Sequence, residues 1–175
     1  MKRLLIWLPL LLFAGVFALV AAGLFKPSDR LVHSAMVGKP LPALALKPLV
    51  PGKPGIATAD FGQGKPRLLN LFASWCIPCI AEARQLMKLK AAGVEIDGIA
   101  IRDTPEAMRT FLAQNGDPYA RIGDDQESVS QIALGSSGVP ETFIVDSHGV
   151  IVDQHIGDIR EDDVPGILRK LEAAK

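Results

Sequence analysis

The chain has 175 residues, 19 basic against 19 acidic, with two cysteines and three histidines. That length suits one well-packed domain, and the even charge balance disfavours a nucleic-acid partner, since phosphate binding needs a concentration of positive charge that no segment carries. Without Lys2 and Arg3, the region from residue 26 onward is slightly acidic.

The first segment differs from the rest. "MKR" is followed by a charge-free run from Leu4 to Phe25, which as one continuous helix would extend about 33 Å and cover a hydrocarbon core of about 30 Å. This predicts a single N-terminal transmembrane helix within residues 1–25, with Pro9 near its start and the basic N-terminus on the cytoplasmic side. A cleaved signal peptide shares the basic start but has a shorter apolar stretch, about 7 to 15 residues. Either reading sends the following domain to an oxidising compartment, where a lone cysteine pair can cycle through a disulfide.

Residues 26–36 read as a tether and residues 37–175 as the folded domain. Prolines and glycines up to residue 66 leave room only for short edge strands, over Leu41–Leu49 and Ile56–Phe61. "RLLNLFA", residues 67–73, suits a buried central strand, and a helical period follows Trp75 through Ile80, Ala83 and Leu86 or Met87, closed by Gly93. "VEIDGIAI", residues 94–101, predicts an interior strand, and "TPEAMRTFLAQNG" predicts a helix capped by Thr104, with Pro105 in its first turn and Gly116 at its end. A short strand over Tyr119–Ile122, a helix over Asp125–Leu134, a hairpin turning at "DSHG" and a closing helix in "EDDVPGILRKLEAA" complete the chain. The expected class is α/β, a mixed sheet with helices on both faces.

Three readings compete for Cys76 and Cys79. A structural zinc site needs four ligands, and His33, His148 and His155 lack the paired spacing that would supply the other two. A structural disulfide would close only a tiny loop and constrain the unfolded chain little. Position favours a reactive dithiol: Cys76 falls between the strand and the helix, where free N–H groups and the helix dipole stabilise a thiolate. Cys76 is then the exposed nucleophile and Cys79, one turn into the helix, the more buried resolving thiol, with Pro78 restricting the turn between them. His148 and His155 read as surface or packing residues and His33 as part of the tether, and Tyr119, Phe61, Phe72, Phe111 and Phe143 read as core.

"FASWCIPC" after a buried strand, with "GVPETFIVDSHG" about sixty residues later, resembles the thioredoxin-like proteins and, more narrowly, the cytochrome c biogenesis thioredoxins of the DsbE/CcmG family. The likeness also runs through "VGKPLPALALKPL", "PYARIGDD" and "HIGDI", and so covers nearly the whole chain. It implies a thioredoxin-like fold with an added N-terminal strand region, and a Cys76–Cys79 pair that cycles without cofactor or metal. It further implies that Trp75 covers the active-site edge and that Val139 and Pro140 form a cis-proline segment presenting backbone to an extended substrate. Ordinary thioredoxins have an aspartate six residues before the first cysteine, where this chain has Asn70. The resemblance therefore implies Glu82 and Glu141 as the carboxylates that tune the thiols, against the plainer reading of solvent-exposed glutamates. "GSSGVPE" departs from the family's "GVYGAPE"-like segment at Ser136 and Ser137.

The implied function is that of a reductant in cytochrome c maturation. Its substrate would be the haem-binding cysteines of apocytochrome c, or another maturation protein, and a membrane thiol reductant would restore the dithiol. The implied location is the bacterial inner membrane, single-pass through residues 4–25, with the domain in the periplasm. A general periplasmic thiol reductase or oxidase, and a non-enzymatic adaptor that holds a cysteine-containing peptide, remain alternatives on the same residues.

Overall fold

The computed structural model describes residues 7–24 and 34–175. Lys2, Arg3, His33 and most of the tether expected over 26–36 lie outside the described residues. The chain divides into two compact units, Met1–Leu31 and Val32–Lys175.

In the first unit, helix α1 runs Leu8–Leu24, 17 residues. At about 1.5 Å per residue it is about 26 Å long, short of a hydrocarbon core of about 30 Å. Among the described residues no helix is long and apolar enough to cross a membrane. The transmembrane helix expected over residues 4–25 is therefore corrected, and the single-pass inner-membrane location inferred from it is withdrawn. A run without charge permits a span, but the length of continuous helix decides whether one forms.

The second unit is built on a five-stranded sheet. In chain order the elements are β1 (Ala45–Leu46), β2 (Ile56–Ala57), β3 (Arg67–Phe72), α2 (Ile77–Ala91), β4 (Ile96–Ile101), α3 (Pro105–Asn115), β5 (Arg121–Asp125), α4 (Val129–Ala133), β6 (Glu141–Val145), β7 (Ile151–Ile156) and α5 (Val164–Ala173). The sheet order is β5-β4-β3-β6-β7, with β3, β4 and β5 parallel and β6 and β7 antiparallel to their neighbours. This is the mixed α/β sheet of a thioredoxin-like fold. β1 and β2 pair only with each other, as a separate two-stranded ribbon, because the prolines around them leave few donors for a longer ladder.

Strand alternation divides the core in two. Leu68, Phe72 and Ile144 point to one face, where they meet Leu86 and Leu89 of α2, Met108 and Phe111 of α3, and Ile167 and Leu171 of α5. Leu69, Leu71, Phe143 and Val145 point to the other, beneath Leu41, Leu44, Ile56, Phe61 and Leu134. The three longer helices thus share one face, and the N-terminal segment covers most of the other. Right-handed crossovers give this result, because β3-α2-β4 and β4-α3-β5 step in the same direction across the sheet.

Local signals explain the element ends. Thr104 Oγ1 accepts from the Ala107 N–H at 3.2 Å at the start of α3, and Gly116 ends that helix with φ 91°. Gly98 in β4 makes room for an aromatic stack: a Cβ there would lie 2.7 Å from Phe72 Cε1 and 2.8 Å from Tyr119 Cδ1. The Phe72 and Tyr119 rings stack with centroids 4.3 Å apart. Near the N-terminal ends of β3, β4 and β5, Arg67 bonds Glu95 at 2.7 Å and the buried Asp97 at 3.1 Å, and Arg121 approaches both. Those charges compensate one another at the sheet end away from the cysteines.

Candidate active site

β3 ends at Phe72 and α2 begins at Ile77, so the four residues Ala73–Cys76 form the turn between them. Cys76 is the N-cap of α2, with φ −88° and ψ 108°, and its sulfur accepts from the Cys79 N–H at 3.2 Å. Pro78 lies in the first turn, where its missing N–H costs no helix bond. Cys76 and Cys79 are joined in a disulfide with a Cα–Cα separation of 5.2 Å.

Both sulfurs belong to the core in this oxidised state: Cys76 is 4% exposed and Cys79 1%. The expectation of an exposed Cys76 is corrected to this extent, that in the disulfide form Cys76 is buried in the core cluster that also holds Ala73 and Cys79. The exposed surface comes from the flanking residues, with Trp75 58% and Ile77 78% exposed.

The turn is held from below by the residues that follow β4. Asp103, itself buried, accepts from the Ser74 N–H at 2.5 Å and the Ser74 hydroxyl at 2.8 Å. Trp75 Nε1 donates to the Arg102 carbonyl at 3.2 Å. Arg102 adopts φ 48°, a left-handed conformation uncommon for a non-glycine residue. Sequence reading missed Asp103. The available signal was its place directly after a buried strand parallel to β3, where the topology aligns the two strand ends.

The inward face of α2 carries Cys79, Glu82, Ala83, Leu86 and Leu89, whereas Ile80 is 44% exposed. Ala83 and Leu86 are buried as the sequence suggested, Cys79 rather than Ile80 opens the buried stripe, and Glu82 occupies a core position within it. Asn70 Nδ2 donates to Glu82 Oε1 at 3.0 Å and the Ile159 N–H donates to Oε2 at 3.0 Å. Asn70 Nδ2 also donates to Thr142 Oγ1 at 3.0 Å, and the Tyr119 hydroxyl donates to Asn70 Oδ1 at 2.8 Å. Burial pushes the Glu82 carboxyl up to about 7; the two hydrogen bonds oppose this, and the nearby Asp158 adds to it. Such a group exchanges its proton near neutrality, which an exposed glutamate does not.

Glu141 opens β6 opposite Leu71, and the peptide bond just before it, Val139–Pro140, is cis. The pairing brings Pro140 to the C-terminal end of β3, the sheet edge that also carries the cysteine turn. Alternation then separates the two carboxylates. Thr142 faces the α2 side with Asn70, and Glu141 faces the other side with Phe143. There Glu141 Oε1 accepts from the Ser137 N–H at 2.9 Å and the Ser137 hydroxyl at 2.5 Å, and Oε2 accepts from Gln154 Nε2 at 3.0 Å. The Ser-Ser departure from the family pattern is thus occupied locally, with Ser137 closing the loop onto Glu141. Val139, half-buried, packs against both core clusters.

His148 is exposed in the β6–β7 turn, and His155 Nε2 lies 3.3 Å from the Asp158 carbonyl. Among the described residues no group of three or more His, Cys, Asp or Glu side chains is placed to hold a metal ion.

The Redoxin family model matches residues 36–171. The chain is 41% identical over 165 residues to the thiol:disulfide interchange protein HelX of Rhodobacter capsulatus, covering 93% of this chain and 92% of HelX. It is 35% identical over 165 residues to the thiol:disulfide interchange protein DsbE of Escherichia coli K12, covering 91% and 88% of the two chains. Among solved structures it is similar to a secreted Mycobacterium tuberculosis disulfide oxidoreductase homologous to E. coli DsbE. That likeness has a TM-score of 0.56 and 25% identity, covering 67% of this chain and 87% of that one.

Proposed function

Because this chain belongs to the DsbE-type thiol:disulfide interchange proteins of the Redoxin family, we propose that its Cys76–Cys79 pair works as a reductant in cytochrome c maturation. The placement of Cys76 at the N-cap of α2 supports a reactive dithiol, and kinship with the DsbE-type proteins supports the reductant direction. The Cys79 N–H that meets Cys76 Sγ in the disulfide would meet a thiolate after reduction, and the helix end favours that charge.

The Cys76 thiolate attacks one sulfur of a substrate disulfide, forming a mixed disulfide and releasing the other substrate sulfur as a thiolate, which takes up a proton. Cys79 then gives its thiol proton to the Glu82 carboxylate and attacks Cys76 Sγ. The bond between Cys76 and the substrate breaks, the second substrate sulfur leaves as a thiolate and takes the proton back from Glu82 to complete the dithiol, and the Cys76–Cys79 disulfide seen here remains. A carboxyl that titrates near 7 suits this transfer, because it can accept a proton and later return it at neutral pH.

The substrate we assign is the haem-binding cysteine pair of apocytochrome c, or a maturation protein that carries it, with an upstream thiol reductant restoring the dithiol. Kinship with DsbE-type proteins supports a periplasmic setting. Trp75, Pro78 and the backbone of Val139 would line the groove for an extended segment, with Pro140 shaping the turn. Glu141, held by Ser137 and Gln154, keeps that loop in place from the opposite sheet face.

Replacing Cys79 with serine should trap a mixed disulfide with an apocytochrome peptide containing a C-x-x-C-H segment, and Cys76→Ser should trap none. Equal capture by both variants overturns the exchange mechanism. Direction is tested by the reduction potential, since C-x-x-C proteins range from about −270 mV to about −120 mV; a value at the oxidising end overturns the reductant assignment.

A further inference from the structure

The dithiol mechanism uses Glu82 and leaves Tyr119 unexplained. Tyr119 is 2% exposed, stacked on Phe72 in the same core cluster as the two cysteines. A phenylalanine would fill that space equally well. What the tyrosine adds is a hydroxyl, buried and aimed at Asn70 Oδ1, 2.8 Å away.

An asparagine amide can be turned either way round, and the two orientations have opposite effects on a neighbouring carboxylate. In the observed one, Nδ2 faces Glu82 Oε1 and Thr142 Oγ1, both at 3.0 Å, and so donates to Glu82. In the reversed one, Oδ1 would face the Glu82 oxygen, acceptor against acceptor, which only a protonated Glu82 tolerates. An ionised Glu82 by itself prefers the observed orientation and a protonated one does not, whereas the buried Tyr119 hydroxyl, with Oδ1 as its acceptor, holds that orientation in both states. Reversing the amide would leave the Tyr119 O–H without an acceptor, a costly state for a buried donor. Donation to Oδ1 also polarises the amide and strengthens the bond that Nδ2 makes to Glu82.

We propose that Tyr119 is a positioning residue for thiol–disulfide exchange: its hydroxyl holds the Asn70 amide with the NH₂ group toward Glu82, and this favours the carboxylate that receives the Cys79 proton. The proposal rests on the reading of Glu82 as proton acceptor given above. The groups facing Glu82 are Asn70 from β3, the Ile159 N–H and Asp158 from the segment after β7, and Tyr119 from the segment before β5. Of these Asp158 disfavours the carboxylate, so the amide and the N–H are what support it.

The test titrates the Glu82 carboxyl carbon by ¹³C NMR in the full chain and, in parallel, records the pH profile of disulfide exchange. Tyr119→Phe should move the Glu82 midpoint up by roughly half a pH unit and move the exchange profile in the same direction. Since the chain contains one tyrosine, growth on 3-fluorotyrosine labels Tyr119 alone. That ring is a stronger donor with nearly unchanged packing, so it should move the midpoint down. Opposite shifts from the two substitutions support the proposal, and a midpoint unmoved by both overturns it. Glu82→Gln separates the two layers: if it leaves the exchange profile in place, Glu82 is not the acceptor and the catalytic part of the proposal falls with it. If Glu82→Gln alters the profile while the Tyr119 substitutions do not, only the role of Tyr119 is overturned.

Discussion

Asp103 accepts both the backbone N–H and the hydroxyl of Ser74, at 2.5 and 2.8 Å, two residues before the N-cap cysteine. A carboxylate taken from the end of β4 thereby determines where the turn leaving β3 sits. The thiol chemistry depends on this, because Cys76 must stand at the first turn of α2 to gain from its free N–H groups.

Asp103→Ala leaves the Ser74 N–H without its acceptor. It should destabilise the domain by about 1–3 kcal/mol in urea unfolding and slow disulfide exchange by more than Ser74→Ala does. Ser74→Ala removes only the hydroxyl bond. Equal exchange rates in the two variants would show that Asp103 does not position the turn.

Glu82 predicts a pH-dependent stability. Its carboxyl is raised from 4.5 to about 7 in the folded chain, so between those values the native state holds a proton that the unfolded state has lost. The associated stability is fully present below 4.5 and is lost as pH rises to about 7. The unfolding free energy of the oxidised protein, measured in urea, should therefore fall across that window relative to Glu82→Gln, by an amount on the order of 3 kcal/mol. Parallel curves for the two proteins would refute the assignment.

Ser137→Ala removes one of the two bonds that tie the 135–141 loop to Glu141, with the Ser137 N–H still in place. If the loop presents Val139 to substrate, KM for a disulfide peptide should rise about fivefold, the equivalent of about 1 kcal/mol, with kcat nearly unchanged. A fall in kcat at constant KM would place the effect on the chemical step instead.

Gly98→Ala tests the aromatic stack. The added Cβ would sit 2.7 Å from Phe72 and 2.8 Å from Tyr119, so one ring must move, at a cost of about 1–3 kcal/mol. Calorimetry should show a lower melting temperature, and the displaced phenol should disturb the Glu82 titration. A melting temperature equal to that of the unsubstituted protein would mean that the stack relaxes freely.

The order of the elements was legible in the sequence because each carries its own local signal. "RLLNLF" is a continuous apolar run, Thr104–Pro105 opens α3 with a cap and a preorganised first turn, and "DSHG" turns one antiparallel strand into the next. The cysteine pair was legible for the same reason: a nucleophile at a strand-to-helix junction is a property of neighbouring residues. The extent of the N-terminal helix was less so. Hydropathy registers an uncharged run from Leu4 to Phe25, whereas the described helix covers Leu8–Leu24.

By itself the sequence determined the mixed α/β class, the dithiol and the positions of Glu82 and Glu141 along the chain. Only the tertiary structure decided that these two carboxylates belong to different sheet faces, one in a network with Asn70 and Tyr119 behind the cysteine helix, the other closing a loop with Ser137 and Gln154. It also brought Asp103 beneath Ser74. The physical reason is the same in each case. A carboxylate's behaviour depends on the donors around it and its distance from water, and the fold brings the donors of Glu82, for example, from residues 12 and 77 positions away.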